Sequence, residues 1–132
     1  MMDYLFDTNH ASECLKANRH IKKRIQQHRS DTFGFCSPVV AELWFMVHNS
    51  HRVEENRHDL ETLLLQFETW PFDPSSTEIF GRLKSHLRRE GLIVADVDLQ
   101  IASIAIANNL TLLTADQAFA NIPDLTSENW LT

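Results

Sequence analysis

Three short apolar runs, residues 4–7, 32–36 and 110–114, are of strand length, and stretches of helical character separate them. Parallel strands need long crossovers, usually helical, so this alternation points to a parallel sheet with helices on both faces. The expected fold is α/β, a three-layer α/β/α sandwich with a short central parallel sheet. With 132 residues the chain suits one domain, 1–132, with a core of its own. It shows no internal repeat and no low-complexity linker.

The helical segments carry their own punctuation. Thr8 and Asn9 favour an N-terminal cap, and the spacing of Ile21 and Ile25 carries helix through residues 16–27. Ser37-Pro38 reads as a cap followed by a first-turn proline, starting a helix that runs to about Asn49. Leu60, Leu63, Leu64 and Phe67 form one stripe of a helix over residues 53–69, and Trp70 to Asp73 is a short extended piece. Asp73-Pro74 launches a helix to about Glu90, with Ile79, Leu83 and Leu87 inward and Gly91 where a terminating glycine belongs. The next helix starts at Asp96 or Val97, shows the stripe Val97, Ile101, Ile104, Ala105 and Asn108, and ends at Asn109 in a left-handed turn. A helical turn follows at residues 117–121.

Against this pattern four acids stand out. Asp7 ends the first apolar run, Glu42 interrupts the apolar stretch 39–47, Asp98 opens the apolar segment 99–107, and Asp116 follows Leu112-Leu113-Thr114. A carboxylate in buried structure is costly unless a cation meets it. In open parallel sheets ligands gather beyond the carboxyl ends of strands, where Asp7 and Asp116 fall. Each could also simply cap the element that follows. Glu42 is expected against the apolar face of its helix, in need of a partner. Asp96 is expected to cap its helix while Asp98 reaches the site, and the sequence leaves open which of the two would contact a metal. Converging carboxylates suit a hard cation, Mg²⁺ or Mn²⁺. The seven histidines are scattered and no Cys-x-x-Cys occurs, which disfavours zinc. No Ser-His-Asp or Cys-His arrangement is evident.

Net charge is −6, yet ten of the twelve Lys and Arg residues fall in two stretches, 16–29 and 82–89. They are either solvated faces or a phosphate-contacting rim, with Lys16, Lys22, Lys23, Arg24, Arg82 and Arg89 as the candidate phosphate contacts. No apolar run is long enough to span a membrane and the amino terminus has no secretion signal, so a cytoplasmic protein is expected. Cys14 and Cys36 read as free thiols.

Leu5-Phe6-Asp7-Thr8-Asn9, Ser37-Pro38-Val39-Val40-Ala41-Glu42-Leu43, the stretch 91–102 with Asp96 and Asp98, Thr111 to Asp116, and the closing Glu128-Asn129-Trp130 together resemble the PIN-domain nucleases, more closely the VapC-type toxins of bacterial toxin–antitoxin pairs. The likeness covers nearly the whole chain. It implies a Mg²⁺- or Mn²⁺-dependent endoribonuclease, normally a homodimer within a larger toxin–antitoxin assembly and held inactive by a cognate antitoxin. Asp7, Glu42, Asp98 and Asp116 match the family's acids, and Thr8, Asn9 and Thr114 its supporting positions. Asp96 is an additional acid. The apolar Leu43-Trp44-Phe45-Met46-Val47 is either a fully buried helix or an interface, and an antitoxin segment is expected to cover it and to send a cation, Arg by expectation, towards the acids. Rival readings are an RNA-processing PIN nuclease without an antitoxin, a phosphoryl-accepting aspartate at Asp7, and a non-catalytic acidic interaction module.

Overall fold

The computed structural model describes residues 2–131; Met1 and Thr132, which the expected 1–132 domain includes, lie outside the described residues. In chain order the elements are β1 (Asp3–Phe6), α1 (Thr8–Leu15), α2 (Arg19–Gln27), β2 (Thr32–Cys36), α3 (Ser37–His48), α4 (Val53–Leu64), β3 (Glu68–Trp70), α5 (Pro74–Arg89), α6 (Asp96–Ala107), β4 (Thr111–Leu113), a 3₁₀ turn at Gln117–Asn121, and β5 (Ser127–Glu128). The strands form one sheet in the order β3-β2-β1-β4-β5, and every pairing is parallel. β1 is therefore central, between strands that begin at Thr32 and Thr111. All strands point the same way, so their carboxyl ends share one edge.

The core explains the register. Tyr4, Leu5 and Phe6 are buried, as are Phe33, Phe35, Leu112 and Leu113 on the neighbouring strands. Such continuous apolar runs mark strands covered on both faces. α5 and α6 pack on each other, while α1, α3 and α4 pack together as a second group. Gly34 permits the tight approach of β3: a Cβ there would meet Glu68 O and the Trp70 ring at 2.6 Å.

Three helix ends are built alike. At the end of α5 the Gly91 N–H donates to Arg88 O and the Leu92 N–H to Leu87 O, with Gly91 at φ 74°. Asn109 closes α6 in the same way at φ 55°, as its residue type foreshadows. The third case corrects the expected continuous helix through residues 16–27. The chain breaks at Ala17, φ 57°, where Asn18 N–H donates to Glu13 O. Asn18 Oδ1 then accepts the His20 and Ile21 N–H groups and starts α2 afresh.

Other boundaries shift for local reasons. Asp7, rather than Thr8 or Asn9, caps α1, because its carboxylate accepts the Thr8 N–H. Cys36 holds the cap position of α3 and Ser37 is already helical. α4 stops at Leu64, short of Thr69, because Glu68 and Thr69 pair with β2; ladder pairing outweighs the helical stripe that reaches Phe67. Ala95, not Asp96, precedes α6. The two-residue β5 has no apolar alternation from which to be read.

Candidate active site

Asp7 leaves the end of β1 in extended geometry, and its N–H donates to Leu113 O at 3.0 Å, so the β1–β4 ladder fixes its position. Its side chain is only 6% exposed. Oδ1 accepts the Thr8 N–H at 2.8 Å and Oδ2 accepts the Thr114 hydroxyl at 2.7 Å. Thr114 stands just past β4, and its N–H donates to Glu128 O at 2.9 Å beside β5. Its hydroxyl oxygen also accepts the Asp116 N–H at 3.0 Å, so one side chain joins the first acid to the loop carrying the last. Asp116 is exposed and caps the 3₁₀ turn through the Ala118 N–H. Both capping alternatives for Asp7 and Asp116 are thus real, and the capping uses one oxygen of each carboxylate.

Asp98 lies in the first turn of α6, half-buried. Burial raises its pKa, and the negative charges of Asp7, Asp116 and Glu42 raise it further. Those charges place the four acids in one neighbourhood, although they come from four separate segments. Burial also raises the Asp7 pKa; the Thr114 and Thr8 hydrogen bonds oppose this, and the Asp116 charge adds to it. Glu42 corrects an expectation, for it is exposed on α3 rather than held against the core. Val39, Leu43 and Val47 form the inward face of that helix. Its opposite side leaves Phe45 68% and Met46 40% exposed, so α3 is not a fully buried helix. Glu42 borders a shallow cavity of about 420 Å³ with Pro38, Ala41, Phe45, Val97 and Gln100.

Among the described residues none of the four acids is in an ion pair. Asp96 behaves differently: its Oδ1 meets Lys84 Nζ at 2.9 Å across an exposed α5–α6 contact. Asp96 is therefore neutralised locally, and Asp98 is the one that shares a field with the others. The two basic stretches also separate. Lys84 meets Asp96 at the start of α6, and Arg88 and Arg89 line a surface cavity with it, while Arg82 is exposed. The carboxyl end of α2 lies by the start of the strands. His28 Nδ1 meets Asp31 Oδ2 at 2.9 Å, next to the Thr32–Met2 bond at the start of the strands. Arg24 is spent over the Trp130 ring, 4.6 Å from its centre, and Lys16 pairs with Glu13 at 3.7 Å. Lys22 borders a cavity of about 710 Å³ between α1, α2 and α4, which none of the four acids lines. Arg24 and Lys16 thus each have a partner within the chain. Of the supporting positions, Thr114 bonds Asp7 by its side chain, Thr8 by its backbone, and Asn9 is exposed.

One buried group, His10, escaped the sequence reading, as did its contact with Trp130. His10, wholly buried on α1, accepts the Trp130 N–H on Nε2 at 3.0 Å. Trp130, also wholly buried, packs on Tyr4, His28 and Phe33 and donates its indole N–H to Glu128 Oε1 at 3.0 Å. A sequence separation of 120 hid the contact.

The four acids are neighbours, not a closed ligand set: among the described residues no three His, Cys, Asp or Glu side chains stand together as one ion's ligands. Their chemistry nonetheless fits a hard divalent cation. They are oxygen donors, lack a basic partner, and two of them are held partly out of water with raised pKa values. Cys14 and Cys36 are free, and burial pushes both thiols up to about 12, so neither is a thiolate ligand at neutral pH.

Fold and site together define an α/β protein with an acidic centre at the carboxyl edge of a parallel sheet. The PIN domain family model matches residues 4–125. Ribonuclease VapC2 of Rickettsia felis is 36% identical, with 98% of each chain covered. Ribonuclease VapC2 of Haemophilus influenzae Rd is 27% identical over 99% of this chain and all of its own. A chain in the crystal structure of Rickettsia felis VapBC2 bound to a promoter DNA fragment superimposes with TM-score 0.91 at 34% identity, covering 98% of this chain and 99% of that one. DNA-bound VapBC from Salmonella typhimurium gives TM-score 0.90 at 26% identity, with the same coverage. The chain belongs to the PIN-domain family, within its VapC-type ribonucleases.

Proposed function

We propose that this protein is an endoribonuclease toxin that hydrolyses RNA phosphodiester bonds and is neutralised by a cognate antitoxin, with Asp7, Glu42, Asp98 and Asp116 as its acidic centre. The observation that carries the site assignment is the Asp98 environment, where charges from three distant segments meet with no cation to balance them. Asp7, Glu42, Asp98 and Asp116 would hold Mg²⁺ or Mn²⁺, which when bound would supply charge neutralisation at the phosphoryl oxygens and activation of water. Thr114 and the Thr8 N–H hold Asp7 in a single orientation, leaving its remaining lone pairs free. Glu42, exposed on α3, swings without disturbing the core. Lys84, Arg82 and Arg89 on α5 steer the RNA backbone towards the acids; as phosphate contacts they position the strand without reading its sequence. Lys16, Lys22, Lys23 and Arg24 are the second set of backbone contacts.

The R. felis and S. typhimurium neighbours are toxin–antitoxin complexes bound to DNA. By that likeness this chain takes an antitoxin, and with a net charge of −6 it leaves contact with DNA to that partner. Phe45 and Val97, exposed on the lining of the Glu42 cavity, and the exposed Met46 next to Phe45 in sequence offer an apolar face for the antitoxin, from which an arginine reaches the acids. A homodimer in a larger assembly, a single domain over 1–132 and a cytoplasmic location complete the proposal. Among the described residues no helix is long and apolar enough to cross a membrane. The test is incubation of purified protein with structured RNA and Mg²⁺ or Mn²⁺ beside Asp7→Asn. Cleavage by the wild type alone is expected, and equal cleavage by the variant defeats the assignment.

A further inference from the structure

Asp7 belongs to a closed chain of contacts that its own neighbourhood does not reveal. Its carbonyl accepts the Ala11 N–H at 2.8 Å, tying it to the first turn of α1, and on that turn His10 Nε2 accepts the Trp130 N–H. The Trp130 indole donates to Glu128 Oε1, the Glu128 carbonyl accepts the Thr114 N–H, and the Thr114 hydroxyl returns to Asp7 Oδ2. His10 is wholly buried and its Nε2 satisfies the buried Trp130 N–H, but because Nε2 accepts, its proton sits on Nδ1, which has no partner among the described residues. The latch is thus kept at the standing cost of an orphaned buried donor.

We infer that His10 is a positioning residue for RNA cleavage: by latching the Trp130 backbone it fixes segment 127–130, and through Glu128 and Thr114 it sets the Asp7 carboxylate. This rests on the ribonuclease reading of the acidic edge. The latch has no free play, because the Trp130 ring is clamped between Tyr4, Phe33 and His28 beneath Arg24. A change at the amide is therefore passed along β5 instead of being absorbed. Burial holds the imidazole pKa down at about 4, so it remains a neutral acceptor at physiological pH.

The experiment compares His10→Leu, which removes the acceptor, with His10→Gln, whose amide oxygen falls near the Nε2 position. Two readouts are taken: steady-state cleavage of an RNA oligonucleotide with Mn²⁺, and the ¹H–¹⁵N resonance of the Asp116 amide, which donates to Thr114 Oγ1. His10→Leu is expected to lower kcat roughly ten- to a hundredfold, with KM little changed, and to move the Asp116 resonance. His10→Gln is expected to restore both. Wild-type kcat and an unmoved resonance in His10→Leu overturn the inference. So does equal impairment in both variants, which would mean that His10 acts by packing alone. If His10→Leu does not fold, His10→Asn, too short to reach Trp130, takes its place and is judged by the same criteria. If the wild type cleaves no RNA, the ribonuclease reading fails by itself, and the Asp116 resonance still decides whether the latch reaches Thr114.

Discussion

The Thr114 hydroxyl donates to Asp7 Oδ2 across 2.7 Å and 107 residues of sequence, while its oxygen accepts the Asp116 N–H. One hydroxyl thus sets the orientation of one acid and the backbone of another. Thr114→Val keeps the shape and loses both bonds. It is expected to leave Asp7 buried with an unsatisfied oxygen, to lower stability by about 1–3 kcal/mol, and to lower kcat by at least about tenfold. Urea unfolding and a cleavage assay on the same preparation check this. Thr114→Ser, which retains the hydroxyl, is expected to recover most of the activity.

Because Glu42 is exposed and makes no ion pair among the described residues, stability and activity should separate there. Glu42→Gln is expected to change unfolding free energy by less than about 0.5 kcal/mol while abolishing cleavage. A large loss of stability would mean that the side chain has a structural partner.

Asp98 and Asp96 give opposite expectations. The folded-state pKa of Asp98 is raised above its usual 3.8, so its ionised form opposes folding at neutral pH. That opposition fades as pH falls through the raised value and is gone below 3.8, where both folded and unfolded forms are protonated. Asp98→Asn is therefore expected to raise Tm at neutral pH in chelator and to lose this advantage in acid. Mn²⁺ is expected to raise the wild-type Tm more than the variant's. Asp96→Asn removes only an exposed contact with Lys84, worth about 0–1 kcal/mol, and is expected to cleave like the wild type. Thermal scans across pH, with and without Mn²⁺, distinguish the two.

His10 titrates with the reverse sign. Its folded-state pKa is lowered by burial from 6.5 to about 4, with the Glu13 charge partly opposing this. The unfolded chain therefore binds the proton first. The stability this group contributes is complete above 6.5 and is lost as pH falls towards 4, in total about 3 kcal/mol. His10→Gln is expected to remove that part of the acid sensitivity. Denaturant melts at several pH values, comparing the two proteins, measure the difference.

Much of this was legible in the sequence where a local signal had no competitor. The strand at Thr32–Cys36, the helix start at Asp73-Pro74 and the turns at Gly91 and Asn109 depend on residue types whose backbone preferences act alone. Legibility failed where a distant partner decided the outcome. Ala17 adopts a left-handed conformation that an alanine does not advertise, because Asn18 caps the next helix. Residues 68–69 continue a helical stripe but are claimed by β2. Glu42 looked buried because α3 is apolar on nearly every side, and only packing shows which side meets the core. The four acids could be picked out singly; their shared field, and the diversion of Asp96 to Lys84, needed the fold.

The central place of β1 has a consequence for synthesis. The first strand off the ribosome cannot be flanked on both sides until β4, residues 111–113, has emerged. Asp7 meets Thr114 only then. A chain that stops before this point leaves one flank of its first strand open and that carboxylate without its hydroxyl partner.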